Sequence, residues 1–289
     1  MFMSIKAFDK FDLTGRTAVV TAGATGMGYY MARGLARSGA KVLIAQRRAD
    51  VLATSAERLR NESGGEILTD TVDLRDRSST AAFNQRALEK LGGSVDIFIG
   101  NAALDTWQHA DKVTNEVIDS MFQVNVSSIL EMIRDFLPGM RSKRWGRIIL
   151  SSSTTTLAAS PHEGMTVYAA TKGALNSIAH TVATEVGHDG ITCNSIVLGM
   201  YLTELLQAHL DAVKNTQGKE AVKAFNDAMA SMTACGRVGR PDEVEGLIQL
   251  LASDAGAYIT GANLCADGGL GVMLRPNPPP ENPVYPPAF

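Results

Sequence analysis

A short β-branched run, Arg16 to Thr21 (RTAVVT), passes directly into the turn Ala22-Gly23-Ala24-Thr25-Gly26-Met27-Gly28, and a helical pattern follows over 29–38. No other stretch narrows the possible folds as much. The apolar run reads as a buried strand. Glycines in the turn let the backbone bend tightly and approach a ligand closely. The helix then offers unpaired N–H groups and the positive end of its dipole to an anion lying in that turn. Strand, glycine-rich turn and helix together open a dinucleotide-binding α/β fold, with a pyrophosphate at the helix N-terminus. In isolation the same turn also fits a plain strand-to-helix connection. Its place at the first turn of an alternating α/β chain favours the cofactor reading.

The alternation continues. A second strand over 39–45 ends in Gln46, Arg47 and Arg48. A dinucleotide fold reads the adenosine ribose at this tip, with an acid for NAD and arginine for the extra phosphate of NADP. The tip carries no acid, so the expected cofactor is NADP(H), with NAD(H) the alternative. Arg47 is the better phosphate ligand of the two, because guanidinium binds phosphate as a fork. Helices are predicted over 49–61 and 78–91, and strands over 66–72 and 95–99. The fourth strand runs into Gly100, Asn101, Ala102 and Ala103, small residues that admit a flat ligand. Helical stretches follow over 111–121 and 123–140, the second containing Asn125. An asparagine inside a helix is either exposed or making specific bonds.

The run Ile148-Ile149-Leu150 reads as another buried strand and ends in Ser151, Ser152 and Ser153. Hydroxyls at the C-terminal end of such a strand lie where open α/β sheets place ligands. Next comes a helix carrying Tyr168 and Lys172, four apart and therefore on one face. A free phenol ionises near pH ~10. A neighbouring ammonium favours the phenolate and brings the tyrosine toward acid–base work. A strand over 191–197 ends in Leu198 and Gly199. Residues 200–238 are helical, irregular and Met-rich, as expected of a lid that excludes water. An amphipathic helix over 240–251 and a strand over 263–266 close the pattern. The tail from Arg275 is proline-dominated and extended, suited to lying on a neighbouring subunit.

With 45% hydrophobic and 20% charged residues, the composition is that of one globular core. A net charge of −3 gives no nucleic-acid or membrane-surface signature. Cys193, Cys235 and Cys265 are widely spaced and lack a metal-ligand pattern. The chain shows neither a signal-like run nor a membrane-length apolar run, which makes the cytoplasm the expected compartment.

Across 10–270 the ordered series of motifs resembles the short-chain dehydrogenase/reductase family, classical type. The family glycine motif TGxxxGxG corresponds to Thr21 through Gly28, with Ala22 in place of its first glycine. Its adenine-contacting acid falls on Asp73, beside Leu74. Its NNAG reads GNAA, retaining Asn101 and Ala102. The helix asparagine matches Asn125, YxxxK matches Tyr168 to Lys172, and the PG motif with its threonine reads Leu198, Gly199 and Thr203. Residues 237–269 match the closing pattern RxGxPxEV through YITGxxxxxDGG. Counting from Gly146, the family serine falls on Ser153, with Ser152 the alternative. The distance to Tyr168 is two residues longer than usual, and the extra residues fall within 159–166. That insertion, with His162, Glu163 and Met165, is expected at the substrate mouth.

The resemblance implies a single-domain, Rossmann-like, doubly wound parallel sheet (16–269) flanked by helices on both faces. It has a helical lid at about 200–238, an N-terminal arm (1–15) and a Pro-rich tail (270–289). It implies hydride transfer between nicotinamide and a secondary alcohol or ketone. Tyr168 moves the proton, Ser153 holds the reacting oxygen, Lys172 lowers the tyrosine pKa and binds the nicotinamide ribose, and Asn125 holds a water. Gly23, Thr25, Gly26, Met27, Gly28, Arg47, Arg48, Asp73, Leu74, Asn101, Ala102, Gly199 and Thr203 join Tyr168 and Lys172 around the cofactor, with no metal. Three departures bear on geometry. Ala22 puts a methyl beside the phosphates, with Gly23 able to shift the flexible point by one residue. Gly100 removes a side-chain tie between strands, and Leu198 loosens the turn at the nicotinamide. The opening FDLTGRTAVVT is similar to members acting on sugar acids and polyols. A 3-oxoacyl or cyclic-ketone reductase is the alternative, and a non-catalytic nucleotide-binding scaffold is the alternative of another class. The family implies a homotetramer, or a dimer, joined through the helices around 113–140 and 168–186.

Overall fold

Thr17–Thr21 (β1) lies at the centre of a seven-stranded, all-parallel sheet of order β3-β2-β1-β4-β5-β6-β7. The computed structural model describes residues 7–158 and 163–272. The other strands are Lys41–Gln46 (β2), Ile67–Thr71 (β3), Ile97–Gly100 (β4), Gly146–Ser153 (β5), Ile191–Leu198 (β6) and Asn263–Ala266 (β7). Successive strand side chains point to opposite faces, and both faces are covered, so the central strands are apolar throughout. Val20 and Ile149 pack on Gly26–Arg37 (α1), Ala49–Ser63 (α2) and Glu245–Ala252 (α9). Val19, Ile148 and Leu150 face Arg77–Lys90 (α3), Ser128–Lys143 (α5) and Thr166–Val186 (α6). Across the first face, Arg33 bridges Glu62 and Glu245 at 2.6 Å each, which ties α1 to α2 and α9.

The sheet makes the expected switch point. β1 pairs with β2 on one side and β4 on the other, and a crevice opens at their carboxyl ends. Helix boundaries differ from the sequence reading in three places. The stretch predicted over 111–121 becomes helical only at Asn115–Phe122 (α4), where Thr114 caps the first turn by accepting from Val117 N–H. Gln123–Ser127 is then a π-helical turn before α5, a local widening that periodicity does not signal. The lid is two helices, Glu204–Gln217 (α7) and Lys219–Ser231 (α8), broken at Gly218 with φ 88°. Its Leu202, Leu210, Met229 and Val238 form a small core separate from the two main ones. His162, residues 1–6 of the N-terminal arm and residues 273–289 of the Pro-rich tail lie outside the described residues.

Candidate active site

The crevice is built from backbone crowding. A Cβ on Gly28 would collide with the Ala22 carbonyl oxygen and sit 2.6 Å from Asn101 Nδ2. Gly23 is equally confined, 2.8 Å from Ile44 and 2.9 Å from the Val20 carbonyl. Two residues of the turn are left-handed, Ala22 at φ 51° and Gly26 at φ 55°, and Gly23 is not. Gly23 therefore does not take over the missing glycine's conformation. It serves close packing, and Ala22 carries the strain. Thr25 precedes α1 without capping it, which leaves its exposed hydroxyl at the helix N-terminus beside Gly26 and Met27.

Gly100 has a comparable role. A Cβ there would lie 2.8 Å from Ile129, so α5 packs where a side chain would otherwise stand. The tie between strands comes from its neighbour: Asn101 Nδ2 donates to the Thr21 carbonyl at 3.3 Å, and Asn101 Oδ1 accepts from Ser151 at 3.1 Å. Thr21 Oγ1 in turn accepts from the Asn101 and Ala102 N–H groups. A cavity beyond this knot is lined by Arg47, Arg48, Asp73, Leu74, Arg75 and Ala102. Neither Arg47 nor Arg48 pairs with an acid among the described residues. Arg75 was not singled out in the sequence, and only its place two residues beyond Asp73 could have drawn attention to it.

At the end of β5 the three serines separate by strand alternation. Ser151 turns to Asn101, and buried Ser152 donates to the Lys172 carbonyl at 3.2 Å. Ser153 is half-buried, and its side chain acts on the Tyr168 phenol, favouring the ionised form. The structure thus places Ser153, and not Ser152, with the tyrosine. Lys172 is buried under the Tyr168 ring, Nζ 5.5 Å from its centroid, and donates to the Ser151 carbonyl at 2.6 Å. Burial lowers its pKa to about 8, with the charge of Asp105 acting in the opposite direction. Burial pushes the Tyr168 phenol up to about 12; Asp105 adds to the rise, and only the Ser153 hydrogen bond opposes it. Desolvation is the largest influence on the phenol, and it acts opposite to the depression expected of Lys172.

Asn125 sits fully buried in the π-helical turn. Its side chain accepts from Leu104 N–H at 2.7 Å, donates to the Leu104 carbonyl at 2.9 Å and donates to Thr171 Oγ1 at 3.0 Å. Thr171 bonds back to the Tyr168 carbonyl at 2.7 Å, linking the loop after β4 to α6. Next to Ser153 opens a cleft of about 510 Å³, with Thr154, Thr155, Gly199 and His209 among apolar Met165, Leu198, Met200, Leu206, Phe225 and Met232. Leu198, in the place of the family proline, still ends β6 and forms part of this wall. Gly199 is required there, since a Cβ would sit 2.6 Å from Asp267 Cα. Thr203 caps α7 by accepting from Leu206 N–H at 3.4 Å. Asp105, Trp107, His209 and Phe225 are site residues that sequence reading missed.

A family model described as short chain dehydrogenase matches residues 16–214. A D-beta-hydroxybutyrate dehydrogenase from Rhizobium meliloti is 32% identical over 88% of this chain and 98% of its own length. An L-rhamnose 1-dehydrogenase (NADP(+)) from Thermoplasma acidophilum is 31% identical over 91% of this chain and 99% of its own. The L-sorbose reductase of Gluconobacter frateurii, solved with NADPH and L-sorbose, superposes with a TM-score of 0.83 at 26% identity, covering 92% of this chain and all of that one.

Proposed function

The chain belongs to the short-chain dehydrogenase family, and on that premise we propose that it is an NADP(H)-preferring alcohol dehydrogenase and ketone reductase with Tyr168 as its proton carrier. The observation that carries the reading is the Lys172 ammonium buried beneath the Tyr168 ring, with Ser153 on the cleft wall favouring ionisation of the phenol. A bound nicotinamide nucleotide supplies or accepts the hydride. Ser153 holds the substrate oxygen, and Tyr168, kept protonated by burial, gives its proton to that oxygen as negative charge develops. In oxidation the Tyr168 phenolate takes the alcohol proton and becomes the phenol, and the Ser153 side chain favours that ionised form beforehand. Lys172 has two N–H bonds left after Ser151 to hold ribose hydroxyls. Asn125 fixes the loop that closes the site.

The turn 22–28, Asp73, Leu74, Asn101, Ala102, Gly199 and Thr203 surround the remainder of the cofactor, and two features of the chain fit a dinucleotide phosphate. The crowded backbone at Gly28 leaves a helix N-terminus open to a pyrophosphate. Arg47 and Arg48 line a cavity at the β2 tip and pair with no acid among the described residues. The named substrates of the relatives favour a sugar-related secondary alcohol or ketone, and the apolar cleft lining supports a second reading, a 3-oxoacyl or cyclic-ketone reductase. A cytoplasmic homotetramer is part of the proposal, joined through α4–α5 and α6. Phe122 and Leu130, 38% and 43% exposed, support that contact. No helix among the described residues is long and apolar enough to cross a membrane.

The test is fluorescence titration with NADPH and NADH together with turnover of ketones. NADPH should bind more tightly, with the advantage lost in Arg47→Ala. Tyr168→Phe should lose turnover by ~10²- to 10⁴-fold while still binding NADPH. Unchanged turnover in Tyr168→Phe would end the mechanism. A protein that binds cofactor and turns over no carbonyl would be a nucleotide-binding scaffold.

A further inference from the structure

The turn after β7 forms part of the substrate cleft, and a single acid holds it. Both oxygens of the Asp267 carboxylate accept from backbone: Oδ1 from Gly269 N–H at 2.9 Å and Oδ2 from Gly271 N–H at 2.7 Å. The Asp267 carbonyl accepts from Leu270 N–H at 3.2 Å, and the chain coils into a short helical turn over Leu270–Val272. Hydrogen bonds to an ionised acceptor are stronger than neutral ones. Two neighbours brace the turn. Cys235 N–H donates to the Gly268 carbonyl at 3.0 Å, and a Cβ on Gly269 would sit 2.7 Å from Ala234 Cβ, so the turn is docked on the end of the lid. Gly271 lies against Leu157, with which a Cβ there would collide. Leu157 ends the turn Thr154–Thr156 that starts at Ser153. Half-buried Leu270, carried by this braced turn, lines the cleft. Another wall, the loop after β4, is fixed at its ends as well, Leu104 by Asn125 and Gln108 N–H by the Gly164 carbonyl at 3.0 Å.

Resting on the function proposed above, we propose that Leu270 determines substrate specificity and that Asp267 is its positioning residue. The turn receives an apolar group carried beside the reacting carbon of a ketone or secondary alcohol, and it limits the size of that group. A hydrocarbon group gains by leaving water for contact with Leu270 and the Met, Leu and Phe side chains of the same cleft. Hydroxyls in that position would lose their bonds to water and find none at Leu270. A group too long for the cleft presses on a turn tied both to the lid and to Leu157, and overpacking of a braced wall is unfavourable.

The experiment measures kcat and KM for methyl ethyl, methyl butyl and methyl octyl ketone with NADPH as reductant. Leu270→Ala should shift the kcat/KM ratio of the octyl to the ethyl ketone by about tenfold toward the longer one, mainly through KM, with NADPH affinity within about twofold of wild type. Leu270→Phe should shift the ratio toward the shorter ketone. Asp267→Ala should move it in the same direction as Leu270→Ala, and Asp267→Asn, which keeps one oxygen acceptor, should retain part of the wild-type ratio. A merely structural role would lower kcat/KM for all three ketones by one factor, and an unchanged ratio in both Leu270 variants overturns the proposal. Affinities for NADPH-loaded Tyr168→Phe, with and without Leu270→Ala, give the order independently of turnover. Tighter binding there of a ketohexose than of methyl butyl ketone, which has the same number of carbons, would also overturn it. Ketones that bind in the expected order without being reduced by the wild type would instead overturn the catalytic reading and leave the role of Leu270 standing.

Discussion

Gly28, at the head of α1, lacks room for a single added carbon, whereas Leu206 and Phe225 at the substrate cleft stand around a volume of about 510 Å³. The two regions flank the same catalytic pair and are built differently. On the cofactor side the shape is set by close approach to the backbone, Gly28 against the Ala22 carbonyl and Asn101 Nδ2, and Gly23 against the Val20 carbonyl. On the substrate side it is set by side chains of a lid whose small core packs largely on itself. A difference of this kind predicts that mutations on the two sides fail differently: stability and cofactor binding fall together on one side, and substrate selection moves alone on the other.

Gly28→Ala should show the largest effect. The new methyl forces the turn off Ala22 and Asn101, so NADPH binding should be lost in titration and stability should fall by ~1–3 kcal/mol in urea unfolding. Retained binding would show that the turn yields. Lys172→Met should come next, through pH. The buried ammonium has its pKa lowered to about 8, so below that pH its full burial cost opposes folding. From about pH 8 up to its unfolded value the unfolded chain binds more protons than the folded one, and wild-type stability gains from this group as pH rises. The variant should therefore be more stable than wild type at pH 7, with the advantage shrinking across that window. A constant difference would show that Lys172 is neutral, or solvated, throughout.

Phe225→Ala sharpens the contrast from the lid side. With a half-buried ring lining the cleft, kcat/KM for an apolar ketone should fall about tenfold while NADPH affinity stays within about twofold. A parallel loss of cofactor binding would show that the two sides are coupled. Ala22→Gly should have the smallest effect, a gain of about 0.5–1 kcal/mol read as a modest rise in Tm, because the residue already holds a left-handed φ of 51°. A lower Tm would mean that the methyl packs more usefully than it strains.

What the sequence disclosed follows the same division. Strand runs, the glycine turn and the Tyr168–Lys172 spacing are local patterns enforced by local geometry, and the sheet and α6 appear where those patterns put them. The choice of Ser153 over Ser152 needed only strand alternation to resolve. Other features lay beyond local pattern. The π-helical turn at Asn125 exists because its side chain reaches Leu104 and Thr171, twenty-one and forty-six residues away. Asp105 and Trp107 sit in a loop with no periodicity, and their position is set by Asn125 and Gly164 from elsewhere in the chain. The high Tyr168 pKa is likewise a product of burial, which spacing to a lysine does not report.

Leu104 and Gln108 are held through their main chains, so the ends of this segment are fixed whatever side chains they carry. Substitutions at those two ends should leave the register at Tyr168 and the nucleotide cradle in place. For a lineage built on this scaffold, a new diet of substrates could begin with two or three codons.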